Sequence, residues 1–166
     1  MGRAPTNPSK EAQQPFENGF AGFSLVLRPG AEEFVPPAMA DRLTVETAVQ
    51  EQANGTADAV LAAAPLLDGP FLVANADDLY GREAVLDLVR HAESTNEAAL
   101  VGYPLGTVLS SEGPVSRAVC RTDDAYLLTG LEGFPSVTDP TDPTLPVSMN
   151  LWAFGHEHLA ALEAVR

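Results

Sequence analysis

Apolar residues in this chain fall in short dense blocks separated by turn residues, and only one block shows a helical period. Phe23-Ser24-Leu25-Val26-Leu27-Arg28 predicts a short buried strand, punctuated by Pro29-Gly30. Leu43 to Glu51 is β-branched and partly alternating, which predicts a second strand. Phe71-Leu72-Val73-Ala74 has no period-2 alternation and reads as the central strand of a parallel sheet, covered on both faces. Ala98 to Tyr103 repeats that pattern. Between these strands, residues 57–64 predict a helix with Thr56 as its N-cap. Residues 82–93 predict an amphipathic helix with Ala84, Val85, Leu88 and Val89 on one stripe. Residues 31–41 have weak helical character broken by Pro36-Pro37. Alternating strands and helices with crossovers of this length predict right-handed βαβ units and an α/β fold with a mostly parallel sheet.

The pattern changes after residue 104. Val115 to Arg121 and Tyr126 to Leu131 flank Thr122-Asp123-Asp124-Ala125, which predicts an added β-hairpin. Residues 133–146 are rich in Pro, Asp and Thr and predict an irregular loop. Pro146 to Phe154 predicts a last strand, and His156 to Arg166 a final helix. Residues 1–19 carry three prolines and no hydrophobic period, so a flexible tail is expected there, followed by one α/β domain over 20–166.

Composition narrows the function. The 166 residues are 45% hydrophobic and 19% charged, a globular balance. The net charge of −14 comes from 23 acidic against 9 basic residues, with Lys10 the one lysine. Such a chain repels a nucleic-acid backbone, so no nucleic-acid partner is expected. No apolar run approaches the roughly 18 residues of a membrane span, so no membrane partner is expected either. The single cysteine, Cys120, excludes an internal disulfide and fits a reducing cytoplasm. It reads as a buried small hydrophobe, and His91, His156 and His158 read as surface residues rather than zinc ligands.

Two features carry candidate chemistry. Asn54-Gly55-Thr56 feeds a helix N-terminus, a geometry that serves either as an ordinary cap or as a set of backbone donors for an anion. Asp77 and Asp78 follow the apolar run at 71–74. They either open a loop and cap the next helix, or hold Mg²⁺, which needs only one or two carboxylates beside phosphate oxygens and water.

In order, Gly22 to Pro29, Gln50-Glu51 with Gly55 to Val60, Gly69 to Glu83, Val101-Gly102-Tyr103, Gly113 to Cys120, and Val147 to Trp152 resemble the sugar-1-phosphate nucleotidyltransferases. The resemblance covers most of residues 20–160 and implies a Rossmann-like three-layer fold with helices on both faces. It implies attack of a sugar phosphate on the α-phosphate of an NTP, with release of pyrophosphate. It assigns Gln50, Gly55 and Thr56 to the nucleotide, Gly113 and Asn150 to the sugar pocket, and Asp77 to Mg²⁺ with Asp78 as its neighbour. That family opens with a strand and a Gly-rich phosphate loop bearing a catalytic Arg and Lys. Here no hydrophobic strand precedes Phe20, and Arg3 and Lys10 stand in the corresponding positions. The chain is therefore expected to lack the family's first strand and loop, and to be truncated at both ends. An exposed sheet edge would then permit self-association. Two readings stay open: an active transferase, and a catalytically degenerate relative that binds a nucleotide or a partner.

Overall fold

The computed structural model describes residues 22–31, 44–109, 115–137 and 142–165. The expected tail and nearly all of the distorted helix at 31–41 lie outside the described residues. The chain divides into two compact units, Met1–Phe71 with Gly155–Arg166, and Leu72–Phe154.

In the first unit, β1 (Phe23–Leu27) and β2 (Val45–Val49) form a parallel pair in register from Phe23↔Val45 to Leu27↔Val49. The Phe23 amide donates to the Thr44 carbonyl at one end, and the Gln50 amide to the Leu27 carbonyl at the other. Helix α1 (Thr56–Ala63) packs on both strands and on α3 (His158–Ala164). The parallel pairing and the step from β2 into α1 expected here are therefore present, and Gln50 stands at the carboxyl ends of two parallel strands.

The second unit departs from expectation. Its sheet runs β3 (Phe71–Val73), β7 (Pro146–Phe154), β5 (Val115–Thr122), β6 (Leu128–Val137), with β4 (Ala99–Pro104) also on β7. β4 and β5 are both antiparallel to β7, and β5 is antiparallel to β6. The fold is α/β, but the sheet is not mostly parallel. An apolar run without alternation reports burial on both faces and is silent about strand direction, and the tight turn after Thr122 dictates an antiparallel return. The hairpin is also longer than its sequence suggests, because β6 continues to Val137, into the stretch expected to be loop.

The central strand is also a different one. β3 is only three residues long, whereas β7 pairs with β3, β4 and β5 and is buried on both faces. Val147 is 0% exposed and joins Val119 and Leu105 in one cluster. Leu151 is 1% exposed and joins Ala153 and Leu88 in another. Leu88 comes from helix α2 (Arg82–Ser94), whose buried residues Leu88 and Val89 lie on the stripe expected from the sequence. Cys120 is buried in β5, as expected.

Burying a leucine with no room for its neighbours to collapse makes truncation costly. Leu151→Ala is expected to lower unfolding free energy by about 3 kcal/mol in a urea titration. Leu131→Ala, at a position 44% exposed, should cost under about 0.5 kcal/mol. Equal losses for the two would contradict the placement of the core.

Candidate functional site

In the first unit the sequence-predicted residues Gln50, Gly55 and Thr56 come together. Gly55 is the N-cap of α1, at φ 100 and ψ 179, a conformation that a side chain would strain. The expected capping by Thr56 does not occur: Thr56 is already the first helical residue, and no side chain caps this end. Gln50 Nε2 donates to the Gly55 carbonyl at 3.0 Å and to Asp58 Oδ2 at 3.1 Å. Both partners are acceptors, so the amide nitrogen must face them. Its two protons are thereby committed, and the Gln50 carbonyl oxygen is the end left to accept a donor from a ligand.

In the second unit a cleft of ≈ 210 Å³ lies over β5 and β7, bordered by Asn75, Asp78, Ser116, Ser148 and Asn150. Pockets for drug-sized ligands run from roughly 300 Å³ upward, so this one matches part of a ligand rather than a whole nucleotide sugar. Of the predicted residues, it brings Asp78 and Asn150 together. Asp77 is exposed beside Asp78 and does not border the cleft. Gly113, Arg3 and Lys10 lie outside the described residues.

The two carboxylates are not at the strand end itself. β3 stops at Val73, and Asp77 and Asp78 sit in a turn four and five residues further on. That turn is closed by side chains whose roles the local sequence pattern does not assign. Asn75 Nδ2 donates to Asp78 Oδ2 at 2.9 Å, and the Asn75 amide donates to the Tyr80 hydroxyl at 2.8 Å. The Tyr80 hydroxyl donates in turn to the Met149 carbonyl of β7 at 3.0 Å. Tyr103 donates its hydroxyl to the Tyr80 carbonyl at 2.8 Å. The available signal was local: Asn75 and Tyr80 flank the Asp pair, and a tyrosine half-buried among polar neighbours needs a partner for its hydroxyl.

Across the cleft, β7 is irregular. Its pairing with β4 steps from Leu100↔Trp152 to Gly102↔Ser148, so β7 advances four residues while β4 advances two. Asn150 absorbs this with φ 62, a left-handed conformation that asparagine tolerates better than most residues. Its amide donates to Ser148 Oγ at 3.1 Å. Bulges of this kind re-aim side chains, and here the exposed Asn150 side chain borders the cleft.

Arg117 also borders the cleft, but its charge is directed elsewhere. Ala118 pairs with Ser148, so strand alternation sends Arg117 to the opposite face of the sheet. Its guanidinium donates there to the Val108 carbonyl at 3.2 Å and to its neighbour's carbonyl at Ser116. The described cleft therefore presents hydroxyls, two amides and one carboxylate, with a second carboxylate beside it.

No group of three or more His, Cys, Asp or Glu that could cage a metal occurs among the described residues. Two hard oxygen donors do match Mg²⁺, which keeps waters and takes its remaining oxygens from phosphates. No helix among the described residues is long and apolar enough to cross a membrane.

No protein-family model matches the sequence, and no curated protein matches it. Solved structures do share its fold. HddC from Yersinia pseudotuberculosis matches with a TM-score of 0.59 at 12% identity, over 92% of this chain and 64% of that one. UDP-glucose pyrophosphorylase complexed with UDP-glucose matches with a TM-score of 0.56 at 13% identity, over 92% and 65%. Apo-UDP-glucose pyrophosphorylase matches with a TM-score of 0.52 at 12% identity, over 93% and 66%. The likeness is one of fold, and this chain spans just under two thirds of each of these proteins.

Burial raises the pKa of Tyr80 above the ordinary 10.0, and the nearby Asp78 and Asp77 charges add to the rise. Burial raises Tyr103 likewise, with Tyr80 and Asp78 contributing. A folded-state pKa above the unfolded value gives stability that is complete below the unfolded pKa and is lost as pH rises through the folded one. Urea midpoints measured from about pH 8 to about pH 11 should therefore fall above pH 10. The fall should be shallower for the Tyr80→Phe, Tyr103→Phe double variant and unchanged for Tyr126→Phe, since Tyr126 is 88% exposed. A wild-type slope retained by the double variant would contradict this assignment.

Proposed function

We propose that this chain carries out nucleotidyl transfer from an NTP to a phosphorylated acceptor, with a sugar phosphate as the favoured class. The supporting observation is the pair Asp77 and Asp78 on a turn fixed by Asn75 and Tyr80, beside a cleft of hydroxyls and amides, on a fold shared with UDP-glucose pyrophosphorylase. The Rossmann-like three-layer arrangement with helices on both faces belongs to this reading, as do a cytoplasmic location and an Mg²⁺ cofactor.

In this reading an acceptor phosphate oxygen attacks the α-phosphorus of the NTP, and the bond from that phosphorus to the pyrophosphate oxygen breaks. Asp77 and Asp78 hold the cation, and the Asn75 amide orients Asp78 by occupying one of its oxygens. The bound Mg²⁺ supplies charge neutralisation on the phosphates and on the departing pyrophosphate. Asn150 and Ser148 present an amide and a hydroxyl that suit sugar hydroxyl groups. From the resemblance, Gln50, Gly55 and Thr56 take the nucleotide, with the Gln50 carbonyl oxygen accepting from the base.

One observation favours a second reading, a nucleotide-binding relative without turnover. The cation that borders the cleft among the described residues, Arg117, is committed to backbone carbonyls on the other face. Phosphoryl-type transition states need cations near the phosphates, and no described lysine exists to provide one.

Incubation of the purified chain with NTPs, sugar 1-phosphates and Mg²⁺ is expected to release pyrophosphate for at least one pair. Asp77→Asn should reduce that release about a hundredfold. Folded protein that binds NTP with Mg²⁺ through Asp77 yet releases none from any pair would establish the second reading instead.

A further inference from the structure

We propose that Tyr80 is a positioning residue of the cleft, its hydroxyl tying the turn that carries Asp77 and Asp78 to the β7 bulge that carries Asn150. The inference rests on the reading of Asp77 and Asp78 as cation ligands. Three observations carry it. The hydroxyl is used twice, accepting from the Asn75 amide at 2.8 Å and donating to the Met149 carbonyl at 3.0 Å. Asn75 is the residue whose side-chain amide occupies Asp78, so the backbone held by Tyr80 is also the backbone that aims the carboxylate. Met149 immediately precedes Asn150, whose left-handed φ of 62 turns β7 where its pairing slips against β4.

A single oxygen thus bridges the two walls of the cleft. Without it, the Asn75 N–H and the Met149 C=O both lose a partner in a half-buried place. The turn between Ala74 and Tyr80 then keeps the Asn75–Asp78 bond and the Tyr103 hydroxyl on the Tyr80 carbonyl, but loses its tie to the β7 bulge. Oxygen ligands that must converge on a small cation tolerate little misplacement, and groups that orient ligands are worth tenfold or more in metal affinity. Tyr103 supplies a control inside the same cluster. Its hydroxyl bonds the Tyr80 carbonyl, and removing it leaves the Asn75–Tyr80–Met149 bridge in place.

Binding of Mn²⁺ with a non-hydrolysable NTP analogue to the full chain, read from the enhancement of water-proton relaxation, tests this without reference to turnover. The wild type should bind, and Asp77→Asn should not. Tyr80→Phe should bind about tenfold more weakly, and Tyr103→Phe within about twofold of wild type, with circular dichroism confirming that each is folded. Hydrogen exchange on the wild type gives a reading that needs no variant: the Asn75 amide should exchange more slowly once Mg²⁺ is added. Wild-type Mn²⁺ affinity in Tyr80→Phe, equal weakening by both tyrosine variants, or Asn75 exchange indifferent to Mg²⁺ would each overturn the positioning role while leaving the cation reading intact. A wild type that binds no Mn²⁺ in the presence of the NTP analogue would remove both.

Discussion

The second unit depends on one constraint: β7 must be covered on both faces and paired on both edges, yet break its regularity in the middle. Val147 and Leu151 are almost fully enclosed on either side of the break, in separate hydrophobic clusters. An enclosed strand cannot leave its backbone groups unpaired, because each orphaned group costs about 1–3 kcal/mol. At the bulge, where the pairing with β4 slips, the Met149 carbonyl accepts a hydrogen bond from the Tyr80 hydroxyl. The packing problem of the core and the placement of the cleft are thus one problem. Asn150 faces the cleft because β7 slips there, and the turn bearing Asp77 and Asp78 is held by the tyrosine that donates to β7 at the same place.

The elements were legible where local pattern decides them. The stripe of Ala84, Val85, Leu88 and Val89 predicted helix α2, and Pro146 to Phe154 predicted β7 residue for residue. Strand direction was not legible. A run such as Phe71-Leu72-Val73-Ala74 records how much of a segment is covered, and both parallel and antiparallel strands can be covered on two faces. The extent of β6 was hidden because Gly133 and Pro135 argue for loop, while a strand at the edge of the sheet tolerates both.

The site was legible in part for a related reason. Carboxylates in a turn announce themselves by charge, and the Gln50–Gly55 turn by its glycine. Hydrogen bonds between residues distant in sequence leave no such trace. Tyr80 meets Met149 across 69 positions, and only the fold pairs them. Ser148 and Asn150 look like ordinary strand residues until the slip against β4 gives Asn150 a left-handed backbone.

The choice of a tyrosine for this bridge has an electrostatic logic. The chain carries a net charge of −14, and Asp77 and Asp78 add local negative charge beside the cleft. Like unit charges about 5 Å apart at an effective dielectric of about 20 repel by about 3 kcal/mol, so a phosphate meets a barrier unless a cation intervenes. A lysine or arginine in the place of Tyr80 could also hold the turn, but its charge would satisfy Asp78 and weaken any bound cation. A hydroxyl holds the turn without neutralising it. A phenol is protonated and uncharged across the physiological range at its ordinary pKa, and burial of Tyr80 moves it further in that direction. The carboxylates are thereby fixed in position while their charge stays available, which is the condition that the proposed transfer chemistry imposes on them.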